Sequence, residues 1–127
     1  PPPRPAAPGE SLDEAAALAR VGGNVDTLRQ LVALFHQDSP TLAADIAAAV
    51  RDKNARKLQV AAHTLKGMVA FFAADRATEA ALTLERLGAQ GDLTGAEELV
   101  GVLSRELNEL TPALKSLIHA AGGGSRF

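Results

Sequence analysis

The sequence predicts an all-α fold: an antiparallel four-helix bundle preceded by one short additional helix. Three observations carry this expectation. Of 127 residues, 26 are Ala and 18 are Leu, the strongest helix formers. Apolar residues recur at steps of three and four along the chain, the period of a helix with one buried face. The bulky aromatics amount to four Phe, with no Trp or Tyr, so the core must rest on aliphatic packing and close backbone approach. The length fits one domain, and 46% apolar residues suffice for a modest core.

Each element has its own signals. Residues 1–10 hold five of the seven prolines and read as a stiff, extended linker. The helical domain is expected over residues 11–121, with a flexible Gly-rich tail at 122–127. Ser11 followed three residues later by Glu14 resembles a capping box, opening a short helix that stops at Gly22-Gly23. A long helix follows at about residues 24–52, with Leu28, Leu31, Val32, Phe35, Leu42, Ile46 and Val50 on one face. Pro40 inside it predicts a kink, or a break with Ser39 as a new cap. Asn54 is placed to cap a third helix at residues 55–73, and Asp75 a fourth ending near Gly91. Thr94 with Glu97 forms a second capping-box pattern before the last helix. That helix carries Leu99, Leu103, Leu107, Leu110, Leu114 and Leu117, a bundle seam which Pro112 is expected to bend.

Composition removes several function classes. Without Cys there is no disulfide framework, thiol nucleophile or cysteine-type zinc site. Thirteen basic against fifteen acidic residues argue against general nucleic-acid binding. The longest apolar run, residues 67–74, is far short of a membrane span, and no secretion signal opens the sequence. The expectation is a cytoplasmic, monomeric domain without direct membrane contact.

The third helix carries the chemistry. At 100° per residue, Leu58, Ala62, Leu65, Val69 and Phe72 fall within about 40° of one direction and form the core stripe. His63 lies about 140° from Leu58 and faces solvent, with Arg56, Gln59, Lys66, Gly67, Ala70 and Ala74 on its side. Gly67 costs roughly 1 kcal/mol relative to Ala in a helix interior, so clearance beside the imidazole explains it better than packing. Lys66, three residues on, puts a cation within reach of any group attached to His63. An imidazole titrates near pH 6.5, so at pH 7 a ring nitrogen is available as a nucleophile. Exposed imidazole, neighbouring cation and cleared approach suit the acceptance of a phosphoryl group. No acidic pair, phosphate loop or nucleotide motif accompanies them, so the domain is not expected to take that group from ATP itself. A lone surface histidine is ordinarily just solvated, which is how His36 and His119 read. No second metal ligand stands at i±4 from His63, where Gln59 and Gly67 lie.

The run Ala62-His63-Thr64-Leu65-Lys66-Gly67 resembles the His-x-x-Lys-Gly signature of histidine phosphotransfer (HPt) domains. The resemblance spans residues 11–118: Gly22-Gly23-Asn24 resembles the turn before that family's second helix, and Leu34-Phe35, Leu84-Glu85 and the Leu-rich last helix sit where the family has theirs. It implies a phosphoryl carrier, not an enzyme with its own ATP site. His63 would be phosphorylated at Nε2 by a receiver-domain aspartyl phosphate and pass the group to another response-regulator receiver. Lys66 would be the phosphate-side cation and Gly67 the clearance position, with Ala70, Gln59 and Arg56 toward the docking receiver. No cofactor would bind this domain; Mg²⁺ would belong to the partner. The proline-rich leader resembles the linkers of bacterial hybrid sensor histidine kinases, with this domain at the C-terminal end and the whole possibly held at a membrane. The sequence departs from the family pattern after the motif, where Ala73 replaces a common Gly and Phe71 is unusually bulky; the wheel places Phe71 where it could cover the first helix. Two alternatives stay open: a helical docking or dimerisation module with a silent histidine, and the phosphotransfer domain of a chemotaxis-type kinase.

Overall fold

A computed structural model describes residues 14–122, and among them the chain forms helices only: α1 (Glu14–Arg20), α2 (Val25–Arg51), α3 (Ala55–Phe71), α4 (Asp75–Gln90) and α5 (Ala96–Gly122). The proline-rich leader, Ser11 of the first capping pattern and residues 123–127 lie outside the described residues. α3 packs between α2 and α4, and α5 closes the ring against α4 and α2. The connections at residues 52–54, 72–74 and 91–95 leave room only for antiparallel neighbours.

The core is aliphatic, as the composition requires. Leu58, Leu65, Leu84, Leu110 and Leu114 are fully buried, and Leu103, Leu107 and Leu117 nearly so. The α5 seam is therefore interior, with Leu99 at its half-buried edge. Three of the four Phe contribute: Phe72 packs edge-on against Phe35 and against Phe71, both with centroids 5.6 Å apart. Phe71 is thus tied to the core beside Phe72. Among the described residues, no helix is long and apolar enough to cross a membrane.

Several local expectations change. α2 runs unbroken past Pro40, and Ser39 is buried at 7% exposure rather than acting as a cap. Asn24 and Asn54 do cap α2 and α3, accepting the amides of Thr27 and Lys57 at 3.1 Å. Asp75, in contrast, is the first residue of α4 and not its cap; its carboxylate still suits the positive end of the helix. The Thr94–Glu97 box does not form. The Thr94 hydroxyl and amide both donate to Asp92, at 2.7 and 3.1 Å, and Gly95, at φ 81°, leads into α5 instead.

α2 and α3 end in the same motif. After α3, the amide of Ala74 donates to Val69 O and that of Ala73 to Ala70 O, with Ala73 at φ 56°. After α2, Asn54 donates to Ala49 O and Lys53 to Val50 O, with Lys53 at φ 56°. Glycine is the natural occupant of that left-handed position, which is why the family's Gly at Ala73 has a conformational reason. Lys53 is exposed, so Lys53→Gly relieves strain without losing a buried contact. It is expected to stabilise the domain by about 0.5–1 kcal/mol in a denaturant titration.

α3 and α4 approach closely at Gly88. A Cβ there would stand 2.7 Å from the Ala55 carbonyl oxygen, 2.7 Å from the Gln59 amide nitrogen and 2.9 Å from Gln59 Cα. This contact sets the distance between the two helices that frame His63.

Candidate functional site

The Asn54 cap fixes where α3 begins, and its apolar stripe fixes how it is rotated. Leu58, Ala62, Leu65 and Val69 are all at 0% exposure and Phe72 at 2%, as the wheel requires. His63 consequently stands outward, its side chain 67% exposed.

The imidazole is oriented from the neighbouring helix. Its Nδ1 lies 2.7 Å from Glu85 Oε2, while Lys66 Nζ lies 2.7 Å from Glu85 Oε1. One α4 carboxylate thus bridges both candidate residues of α3. Glu85 is only 19% exposed, because Leu84 and Gly88 beside it are buried against α3. The Lys66 ammonium holds its carboxyl below the ordinary value of 4.5, with His63 adding to the effect and partial desolvation opposing it. An ionised carboxylate only accepts hydrogen bonds, so the neutral ring carries its proton on Nδ1 and its lone pair on Nε2.

Gly67 leaves the approach open: apart from its chain neighbours and the adjacent backbone of α3, no atom lies within 4 Å of where its Cβ would be. The rest of the anticipated patch is less uniform. Ala74 is fully buried, as the residue that closes α3 and caps α4, so it clears nothing at the surface. Ala70 is half-buried, and its carbonyl accepts a hydrogen bond from the Arg20 guanidinium of α1. Gln59 is half-buried where its backbone meets Gly88. Arg56 is exposed but lines a groove between α2 and α3 with Lys57, Val60 and Thr64. The structure therefore brings Glu85 of α4 to His63 and Lys66 and leaves the surface at Gly67 open, with Gln59 one turn before His63 on the same helix.

The sequence model of the Hpt domain family matches residues 30–126. No curated protein and no solved structure matches the chain. Hpt domains are phosphoryl carriers rather than kinases and work with the receiver domains of response regulators. The match covers most of the chain, including the histidine-bearing α3: the chain belongs to the Hpt domain family, and its function is phosphotransfer in two-component signalling.

Proposed function

We propose that His63 is the phospho-accepting residue, taking a phosphoryl group at Nε2 from a receiver aspartyl phosphate and delivering it to another receiver or back. The observation that carries this is the Nδ1–Glu85 contact of 2.7 Å on an otherwise exposed ring. It directs the lone pair of Nε2 away from α4.

In the forward step the Nε2 lone pair attacks phosphorus, an N–P bond forms, and the P–O bond to the receiver's aspartate breaks. The aspartate leaves as a carboxylate. Nδ1 keeps its proton, so the product is a phosphoimidazolium whose positive charge faces Glu85. In the return step a receiver carboxylate attacks phosphorus and the imidazole leaves neutral, because Nδ1 already holds the proton. Lys66, held beside His63 by Glu85, adds positive charge next to the transferring group. Gly67 leaves space for the receiver. Mg²⁺ would be held by the receiver's own carboxylates. The leader at residues 1–10 would tether this carrier, residues 11–121, to the remainder of a hybrid sensor kinase in the cytoplasm.

The test is incubation with a phosphorylated receiver, followed by phosphorus NMR. Acid-labile, alkali-stable label at Nε2 supports the assignment; label on Nδ1, or on His36 or His119, would overturn it. Glu85→Gln keeps an acceptor but loses the charge that faces both His63 and Lys66. By analogy with the carboxylates that hydrogen-bond metal-bound imidazoles, it is expected to slow transfer by about 10-fold or more; an unchanged rate would show that the Glu85 charge does not assist the transfer. The pH dependence has a definite sign. Because the folded Glu85 value is lowered, its contribution to stability is complete above the unfolded value and is lost as pH falls through the folded one. The stability difference between wild type and Glu85→Gln should be present at neutral pH and shrink as pH falls from the ordinary glutamate value through the lowered folded one.

A further inference from the structure

We infer that the side-chain amide of Gln59 is a second ligand of the phosphoryl group on His63, donating to its oxygens from the turn before the histidine while Lys66 attends from the turn after. The inference rests on the phosphoacceptor reading and adds to it a residue that acts only in the phosphorylated state. Four residues neighbour His63 on the surface of α3, at i±3 and i±4, with Cβ atoms about 5–6 Å from its own. They are Gln59, Val60, Lys66 and Gly67. Gly67 has no side chain and Val60 no polar side-chain atom. Lys66 is already engaged, its ammonium 2.7 Å from Glu85 Oε1. Gln59 alone of the four has uncommitted side-chain donors: its amide makes no hydrogen bond to any other described residue.

The geometry brings that amide to the ring. Side chains on a helix lean toward its N-terminus, so the imidazole overlies the turn that begins at Gln59. Glu85 holds Nδ1 at 2.7 Å on the α4 side, which leaves Nε2 to carry the phosphoryl group outward. α4 backs onto the main chain of Gln59 at Gly88 and leaves its side chain the outer surface of α3 beneath the ring. Gln59 is half-buried there, so its amide gives up little hydration in turning to a new acceptor. The chemistry calls for such a donor. A phosphoryl group brings three acceptor oxygens and close to two negative charges, and it competes with the Glu85 carboxylate for Lys66. An amide offers two N–H donors and no charge, so it meets those oxygens without pairing with Glu85 while the histidine is bare. Hydrogen bonds to an ionised acceptor are roughly twice as strong as neutral ones. No covalent bond changes at Gln59: the N–P bond forms as the P–O bond to the receiver's aspartate breaks, and the amide only reorients.

The test is the equilibrium partition of the phosphoryl group between this chain and a receiver whose aspartyl phosphate outlives the exchange. The partition depends only on the free partners, so a residue that serves docking changes the rate of approach to equilibrium and not its position. Met, Glu and Arg are close to Gln in helix propensity, and melting followed by circular dichroism checks that each variant is folded. Gln59→Met keeps the length of the side chain without its donors and is expected to shift the partition about tenfold toward the receiver. Gln59→Glu, with a carboxylate against the phosphoryl oxygens, should shift it further. Gln59→Arg restores donors and should return the partition to the wild-type value or beyond. A wild-type partition in both Gln59→Met and Gln59→Glu, whatever their rates, would overturn the inference. An equal shift in all three variants would overturn it too, by tracing the effect to the loss of glutamine rather than of donors. A wild-type chain that takes no phosphoryl group, or whose label persists in His63→Gln, would instead overturn the phosphoacceptor reading itself.

Discussion

His63→Gln is expected to abolish phosphoryl uptake from any receiver while melting within about 2–3 °C of the wild type. The chemical half follows from what glutamine lacks. Its amide nitrogen has no free lone pair, so nothing at that position can attack phosphorus. Its size and polarity resemble those of the imidazole, and its amide can still donate to the Glu85 carboxylate. The stability half follows from placement. His63 is 67% exposed and absent from the core, so removing it creates no cavity. Substitutions at such surface positions usually change stability by less than about 0.5 kcal/mol. Uptake would be followed with radiolabelled phosphoryl donor and melting by circular dichroism. Label retained by the variant would move the acceptor elsewhere; a large drop in melting temperature would make His63 part of the fold's support.

How far the sequence carries depends on the period of the signal. The all-α bundle was legible because its evidence is local and repeated: the stripe Leu58–Leu65–Phe72 and the α5 leucine seam each state their buried face several times over. The exposure of His63 came from the same stripe, as did its proximity to Lys66. Glu85 was not assigned a role, because no spacing links it to a residue 22 positions earlier. Its signal lies within α4: Ala81, Leu84 and Gly88 make a buried stripe, and Glu85 sits at its edge, so it must point along the seam with a neighbouring helix. Which neighbour is a tertiary fact. Ala74 was misplaced for a related reason. The wheel assumes that the helix continues, whereas α3 ends at Phe71 and the turn at Ala73 folds Ala74 inward. Capping pairs failed where a shorter contact competed, as Asp92 did for Thr94. Arg56 and Gln59 share one side of α3, but the wheel does not show that α4 occupies one part of that side and leaves the other open.

Two helix-interior glycines should answer the same substitution with opposite signs. Gly67→Ala meets nothing within 4 Å, so it gains the ordinary helix-propensity difference of about 1 kcal/mol. Gly88→Ala gains the same propensity but drives its methyl against the backbone of Ala55 and Gln59, at 2.7 Å. Those atoms belong to the first turns of α3 and cannot swing aside as a side-chain end would. The helices must separate, and since α3 against α4 is the most extensive contact of the bundle, the loss extends along it. Overpacking of this kind costs typically 1–3 kcal/mol, and at this backbone-to-backbone contact it is expected to exceed the propensity gain. The net outcome is a destabilisation of about 1–2 kcal/mol, or a melting temperature about 4–8 °C lower. Function should fall with it, and for a traceable reason. Gly88 is one turn from Glu85, so separating the helices lengthens the 2.7 Å contact with His63 Nδ1. Transfer from a receiver should slow well below the unfolding temperature, and Glu85→Gln should add little further loss in the Gly88→Ala background. Independent, fully additive losses in that double variant would show that Gly88 supports the fold without positioning the histidine.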